Sequence, residues 1–166
     1  MFSVVKDMRQ GSQEWLQFRR KHVTATDAGK IMQEVPLSWG TPYSCWLHKI
    51  MGREIEPNEA MIRGMELEPF ARTAYNDQVG KEYIPMCVVS DENPWMMSSL
   101  DGLSRDRDSA VEFKCPGERT HNKARSGMMP SYYNPQMQHH MAILGFDQMD
   151  YVSYYADELV VLNIRS

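Results

Sequence analysis

The segment Ser99–Pro116 constrains the fold of this chain most strongly. Within it, Val111 and Phe113 alternate with Glu112 and Lys114, and alternate side chains of a β-strand point to opposite faces of a sheet. The pattern therefore predicts a strand whose apolar face meets a core while a glutamate and a lysine share the other face. The proline that closes the segment ends the strand, because it has no N–H to donate to a neighbouring strand.

A second carboxylate precedes this strand in the same segment. Asp101 stands before Gly102, where a chain can turn sharply, and a hairpin between Gly102 and Ala110 would return Asp101 beside Glu112. Two carboxylates at a strand end suit hard divalent cations, which prefer oxygen ligands. Lys114 would then lie close enough to contact an attacked phosphate or an attacking water. A polar strand face with a surface ion pair explains the same residues, and this segment alone leaves both interpretations open.

A third carboxylate lies on the longest predicted helix, which begins after its N-cap Asn58 and ends before Gly80. Glu68 falls on the apolar stripe of this helix, and a buried carboxylate needs a partner because an unpaired charge is costly to bury. Two arrangements remain open. Glu68 either forms an ion pair with Arg72, one turn later, or faces the two carboxylates of the central segment.

The remaining signals predict an α/β fold in which helices flank one mixed sheet. We expect this fold to form a single domain spanning residues 1–166. The other predicted helices are residues 13–21 after the N-cap Ser12, a short helix from the N-cap Thr26 to Met32, residues 42–51 after the N-cap Thr41, a basic helix at 118–126, and residues 130–144 closed by Gly145. The other predicted strands are residues 83–89, 95–99, 149–155 and 159–164.

The composition restricts the compartment and the partners. The chain has three cysteines and no C-x-x-C pair, which argues against a disulfide framework and favours a reducing cytoplasm. No apolar run is long enough to cross a bilayer, and no signal peptide is visible, so no membrane association is expected. A formal net charge of −4 is unusual for a nucleic-acid binder. Local basic clusters nevertheless occur at residues 19–22 and 119–125.

Placed in order, these pieces resemble the phage lambda exonuclease and YqaJ-type viral recombinase nucleases of the PD-(D/E)XK superfamily. The resemblance covers nearly the whole chain, from Trp15 to about Asp157. Five motifs carry it: Trp15-x-x-x-Arg19 followed by Val23-Thr24-Ala25-Thr26, Gly64-x-x-x-Glu68 with Ala71-Arg72-Thr73, Ser99-x-Asp101-Gly102-Leu103, Glu112-x-Lys114-Cys115-Pro116, and Tyr133-x-x-Gln136-x-Gln138.

The resemblance implies a role for each motif. Asp101 and Glu112 would ligate Mg²⁺, with Mn²⁺ as a substitute, helped by Glu68 and the carbonyl of Phe113. Lys114 would position or activate the attacking water and stabilise charge on the phosphate. The residues implied in binding DNA and its terminal 5′-phosphate are Arg19, Thr26, Ser99, Gln136 and Gln138.

The function implied by the resemblance is a magnesium-dependent 5′→3′ exonuclease of double-stranded DNA from a phage or prophage recombination system. It would act on 5′-phosphorylated ends and leave 3′ single strands for an annealing protein. Members of the family form ring-shaped trimers, so a homotrimer in the bacterial cytoplasm is expected. The alternatives are another RecB-like DNA nuclease and a non-catalytic DNA-binding module on the same fold. The sequence retains the complete set of Glu68, Asp101, Glu112 and Lys114, which argues against the non-catalytic module.

Overall fold

A mixed β-sheet forms the centre of the computed structural model, which describes residues 1–53 and 56–166. The spatial order of the strands is β1-β3-β4-β5-β6-β7, and β2 pairs with β4. The strands are β1 Phe2–Val4, β2 Val23–Thr24, β3 Tyr83–Ser90, β4 Met96–Ser104, β5 Ala110–Lys114, β6 Gln148–Tyr155 and β7 Glu158–Arg165. The helices are α1 Gln13–Arg20, α2 Ala25–Met32, α3 Pro42–Lys49, α4 Glu59–Val79, α5 Glu118–Arg125 and α6 Asn134–Leu144. The α/β fold with a mixed sheet flanked by helices is confirmed.

The predicted central strand, β5, lies inside the sheet. It pairs antiparallel with β4, where Gly102 faces Val111, and parallel with β6, where Glu112 faces Tyr151. The predicted alternation is present, because Val111 belongs to the apolar cluster that α4 covers while Glu112 contacts α6. Both faces of β5 are therefore covered, and the face with Glu112 is buried rather than exposed to solvent.

Two apolar cores hold the helices against the sheet. On one side, Ala71 and Tyr75 of α4 pack against Val111 and Phe113. In the other core, α6 packs side chains that include Met137 against the sheet. These contacts fix α4 and α6, which carry Glu68 and Gln136, relative to β5.

The expected hairpin between Gly102 and Ala110 is confirmed, because Leu103 pairs with Ala110. The chain does not turn at Gly102 itself, since β4 continues to Ser104 and the reversal lies at residues 105–109. Gly102 is required for space, since a Cβ there would lie 2.6 Å from Cγ1 of Val111 and 3.0 Å from Cβ of Tyr83. Asp101 is consequently held within a strand rather than in a flexible turn.

The expected N-cap of the second helix is wrong, because α2 begins one residue earlier and Thr24 caps it. The backbone N–H and the hydroxyl of Thr24 donate to Oδ2 of Asp27 at 2.8 and 2.5 Å. Lys49 of α3 lies 2.7 Å from the same carboxylate oxygen and ties the two helices together. The hydroxyl of Thr26 is thereby released from capping for another contact.

Other boundaries follow local signals closely. Ser12, Thr41 and Asn58 cap α1, α3 and α4 through their side chains, as predicted. The last predicted helix begins later, at Asn134, after a 3₁₀ turn at Ser131–Tyr133. The short strands β1 and β2 were not predicted, since two or three residues carry no usable periodicity. No helix within the described residues is both long and apolar enough to cross a membrane.

Candidate active site

The β4–β5 pairing brings the two carboxylates of the central segment together. Oδ2 of Asp101 accepts a hydrogen bond of 3.0 Å from the backbone N–H of Phe113, the residue after Glu112. The predicted return of Asp101 to the Glu112 strand is therefore present, although an extended strand rather than a turn at Gly102 produces it.

The carboxylate of Glu112 is buried and is contacted from two elements. Lys114, on the same strand, donates from Nζ to Oε1 at 2.6 Å. Gln136 of α6 donates from Nε2 to the same oxygen. His140, one turn further along α6, places Nε2 3.2 Å from Oε2. This last contact lacks the alignment of a hydrogen bond, so Oε2 has no hydrogen-bond partner within the described part of the chain.

Glu68 forms the ion pair with Arg72, and its carboxylate is also close enough to Glu112 for the two charges to interact. Arg72 donates from Nη2 to Glu68 as an ion pair within α4. The same guanidinium donates from Nε to the backbone carbonyl of Asp101 at 2.9 Å. Arg72 therefore connects the glutamate of α4 to the strand that carries the aspartate.

The pKa values show that the three carboxylates interact. Burial raises the pKa of Asp101 well above its usual range, and the negative charges of Glu112 and Glu68 raise it further. Burial also raises the pKa of Glu68, where Arg72 opposes the effect and Glu112 adds to it. Burial acts in the same direction on Glu112, but Lys114 and then His140 outweigh it and lower the pKa of Glu112. Negative charge on one of these side chains therefore disfavours it on the others, and Asp101 and Glu68 hold protons more readily than ordinary carboxyl groups.

Lys114 is the cation of this site. Burial acts to lower its pKa, but Glu112 and Asp101 outweigh that effect and raise the pKa above the ordinary range of lysine. Its ammonium lies 5.2 Å from the ring centre of Tyr133. The rings of Tyr132 and Trp39 extend this aromatic contact toward the surface. Lys114 is therefore a protonated donor beside both carboxylates, with aromatic rings on one side.

A second set of polar side chains surrounds Ser99, which lies two residues before Asp101 on β4. Arg19 of α1 donates from Nη1 to the hydroxyl of Ser99 at 3.2 Å and from Nη2 to the hydroxyl of Thr26 at 3.4 Å. Trp15 donates from its indole nitrogen to Ser99 at 2.9 Å, and the guanidinium of Arg19 lies 4.5 Å from the ring centre of Trp15. Three of the five residues assigned to binding DNA and its 5′-phosphate are thus brought together, with Trp15 as a member that the sequence assignment missed.

The two glutamines of α6 are placed elsewhere. Gln136 contacts Glu112, as described above, and therefore borders the carboxylates rather than the group around Arg19. Gln138 donates from Nε2 to the backbone carbonyl of Arg165 at 2.9 Å, at the end of β7. Neither contact of these glutamines is with Arg19, Thr26 or Ser99. The assignment of both residues to DNA binding stays a prediction.

The donor set has the chemistry that a hard divalent cation requires, namely carboxylate oxygens under mutual repulsion and a buried oxygen of Glu112 without a partner. In the structure, Glu68 is paired with Arg72 and Glu112 is paired with Lys114. Within residues 1–53 and 56–166, no three His, Cys, Asp or Glu side chains are already gathered as metal ligands. Binding of a cation would therefore compete with Arg72 and Lys114 for these carboxylates.

The fold and the arrangement of Asp101, Glu112 and Lys114 on adjacent strands define a PD-(D/E)XK nuclease-like protein. The sequence profile of the YqaJ-like viral recombinase domain matches residues 14–147. The chain belongs to this family, and the resemblance inferred from its motifs is confirmed. A comparison with curated proteins gave no match.

Solved structures agree with the family. The alkaline exonuclease LHK-Exo from Laribacter hongkongensis is 29% identical, with a TM-score of 0.77, and the match covers 93% of this chain and 82% of that one. A structure of LHK-Exo in complex with dAMP gives the same identity and coverage and a TM-score of 0.78. A phage-related exonuclease from Haemophilus somnus 129PT shares the fold at 19% identity, with a TM-score of 0.52 over 72% of this chain and 67% of that one. The chain is thus a member of the YqaJ-like viral recombinase family whose structure is similar to that of the alkaline exonuclease LHK-Exo.

Proposed function

We propose that this protein is a metal-dependent deoxyribonuclease that hydrolyses duplex DNA from 5′-phosphorylated ends. The observation that carries the proposal is the position of two polar groups along one strand. Ser99 and Asp101 are two residues apart on β4, a separation of about 6.8 Å on one face of a strand. A nucleotide whose 5′-phosphate contacts Arg19 and Ser99 can therefore present its next phosphodiester to the carboxylates and Lys114.

The carboxylates of Asp101, Glu112 and Glu68, with the carbonyl of Phe113, would hold Mg²⁺, and Mn²⁺ would substitute for it. When bound, such a cation supplies Lewis-acid stabilisation of the phosphate and lowers the pKa of water. Lys114 donates from a protonated ammonium, which suits it to orient the attacking water or to neutralise charge that develops on the phosphate.

The Arg19 group would give the enzyme its preference for ends. A guanidinium can bind a terminal phosphate through two parallel hydrogen bonds, and the hydroxyls of Ser99 and Thr26 already lie within hydrogen-bonding distance of it. An internal phosphodiester carries less charge and continues in both directions. This pocket therefore favours exonuclease over endonuclease action.

Four further features of the proposed function are inferred from the family resemblance. They are 5′→3′ polarity, a phage or prophage recombination system in the bacterial cytoplasm, an annealing protein that receives the 3′ single strand, and assembly as a homotrimer. The surface offers some support for assembly. Large apolar side chains stay exposed on α3, on α4 and between them, including Tyr43, Trp46, Ile50, Met61 and Phe70, and exposed apolar surface often marks protein contacts.

Replacement of Arg19 by alanine tests the phosphate pocket. We expect Arg19→Ala to reduce the preference for 5′-phosphorylated over 5′-hydroxyl duplex ends by about 10-fold or more, because a charge-assisted pair contributes roughly 1.5–3 kcal/mol. The measurement is the initial rate of digestion of each end in Mg²⁺, with EDTA as the blank. Arg20→Ala is the matched control, since Arg20 is exposed on the same helix and its loss changes the net charge equally. An equal fall in rate on both kinds of end would contradict the assignment.

A further inference from the structure

The contacts of Glu112 with α6 go beyond the roles assigned so far. Gln136 and His140 are four residues apart on this helix, so they lie on the same face, one turn from each other. Gln136 donates to Oε1 of Glu112, and Nε2 of His140 lies 3.2 Å from Oε2. The two helical side chains therefore approach the two oxygens of one carboxylate separately.

His140 is unusual among the buried polar groups of the chain. Its ring is 1% exposed, and neither ring nitrogen has a hydrogen-bond partner within the described residues. Oε2 of Glu112, which Nε2 of His140 approaches, likewise has no hydrogen-bond partner within the described residues. Buried polar atoms are nearly always satisfied in folded proteins, so two orphaned groups side by side indicate that they are partners in the functional state.

We propose that His140 is a positioning residue for Glu112, and that with Gln136 it fixes the orientation in which this carboxylate meets a divalent cation. The proposal rests on the proposed function, because it gives Glu112 the role of a metal ligand. The two atoms Nε2 and Oε2 are already 3.2 Å apart and lack only the alignment of a hydrogen bond. Once these atoms align, Gln136 and His140 hold one oxygen each, and the carboxylate loses its freedom to turn. An ionised carboxylate oxygen can accept a second partner, so Oε2 can bind a cation while it accepts from His140.

The neighbouring residue provides a matched control. His139 is also buried, but its Nε2 lies 3.0 Å from the backbone carbonyl of Met97 on β4. A change at His139 removes a buried imidazole from the same helix without touching Glu112. A comparison of the two positions therefore separates a general loss of packing from an effect on the carboxylate.

The test is Mn²⁺ binding by calorimetry to the full chain without DNA, together with the kcat and KM of digestion. We expect His140→Leu to weaken Mn²⁺ binding by about 10- to 100-fold, the usual effect of removing an outer partner of a metal ligand. The kcat should fall while the KM for DNA stays within about twofold, because the proposed role involves no contact with DNA. His139→Leu should leave the Mn²⁺ affinity within about twofold of the wild type.

A second pair of variants keeps the test decisive if His140→Leu does not fold. The amide nitrogen of glutamine reaches the position of Nε2, whereas that of asparagine corresponds to Nδ1. His140→Gln should therefore retain most of the Mn²⁺ affinity and His140→Asn should not. Equal affinity in these two variants would overturn the proposal, as would wild-type affinity in a folded His140→Leu. A directly coordinated nitrogen in the pulsed EPR spectrum of the Mn²⁺ complex would overturn it too, since His140 would then be a ligand itself. If the His140 variants bind Mn²⁺ and cleave DNA as the wild type does, the positioning role is wrong but the proposed function still stands.

Discussion

Lys114→Ala is expected to reduce the rate of DNA cleavage by about 10³-fold, while binding of DNA and of metal persists. The reason is that the ammonium contacts the Glu112 carboxylate, where the proposed function requires the attacked phosphate to bind. Lys114 contacts Oε1 of Glu112 at 2.6 Å, and Glu112 and Asp101 keep it protonated. Gln136 still donates to the same oxygen in the variant, so the carboxylate keeps one partner.

The measurement for Lys114 is single-turnover cleavage of a 5′-phosphorylated duplex, with DNA affinity measured separately in EDTA. Lys6→Ala is the control, because Lys6 is exposed near the N-terminus and its loss changes the net charge equally. Lys114→Arg keeps a positive charge but changes its geometry, so it should recover little activity. Cleavage by Lys114→Ala at a rate near that of the wild type would contradict the role given to this lysine.

Glu112→Gln is expected to have the other large effect, because it removes a negative charge from the proposed cation site while keeping the shape of the side chain. Lewis-acid stabilisation contributes several kcal/mol, which corresponds to a loss of about 10³-fold in rate. The variant should also lose the increase in thermal stability that Mg²⁺ or Mn²⁺ gives the wild type. Asp101→Asn should behave similarly.

Glu66→Gln is the control for these acidic variants, since Glu66 is exposed on α4 two residues before Glu68. Thermal melting in EDTA shows whether each variant is folded before metal is added. Wild-type protein without stabilisation by metal and without cleavage would favour the non-catalytic DNA-binding module instead. An active Glu112→Gln would show that the site does not depend on this carboxylate.

The parts of the site that the sequence predicts correctly are those with local signals. The alternation around Glu112 fixes which residues share a face, and the caps at Asn58 and Gly80 bound α4 and place Glu68 on its inner side. These patterns depend on backbone geometry within a few residues. They therefore hold without knowledge of what packs against them.

Two of the features that the sequence misplaced or missed depend on contacts between distant residues, and a third had a local signal. Gly102 looks like a turn residue, but it is needed because Val111 and Tyr83 crowd its Cα. The cap at Thr24 has a local signal, namely Asp27 three residues later, which the choice of Thr26 overlooked. His140 has no local signal, because most of α6 is buried and a histidine there has no periodic pattern to distinguish it.

The decisive experiment for the proposed exonuclease activity incubates the protein with a linear duplex that carries a phosphate on only one 5′ end, in Mg²⁺ and in EDTA. Each strand carries a different label, and a closed circular duplex is included. A 5′→3′ exonuclease would show Mg²⁺-dependent loss of the phosphorylated strand from its 5′ end, with the other strand left single and the circle intact. Degradation of both strands at equal rates, cleavage of the circle, or digestion in EDTA would contradict the proposed activity.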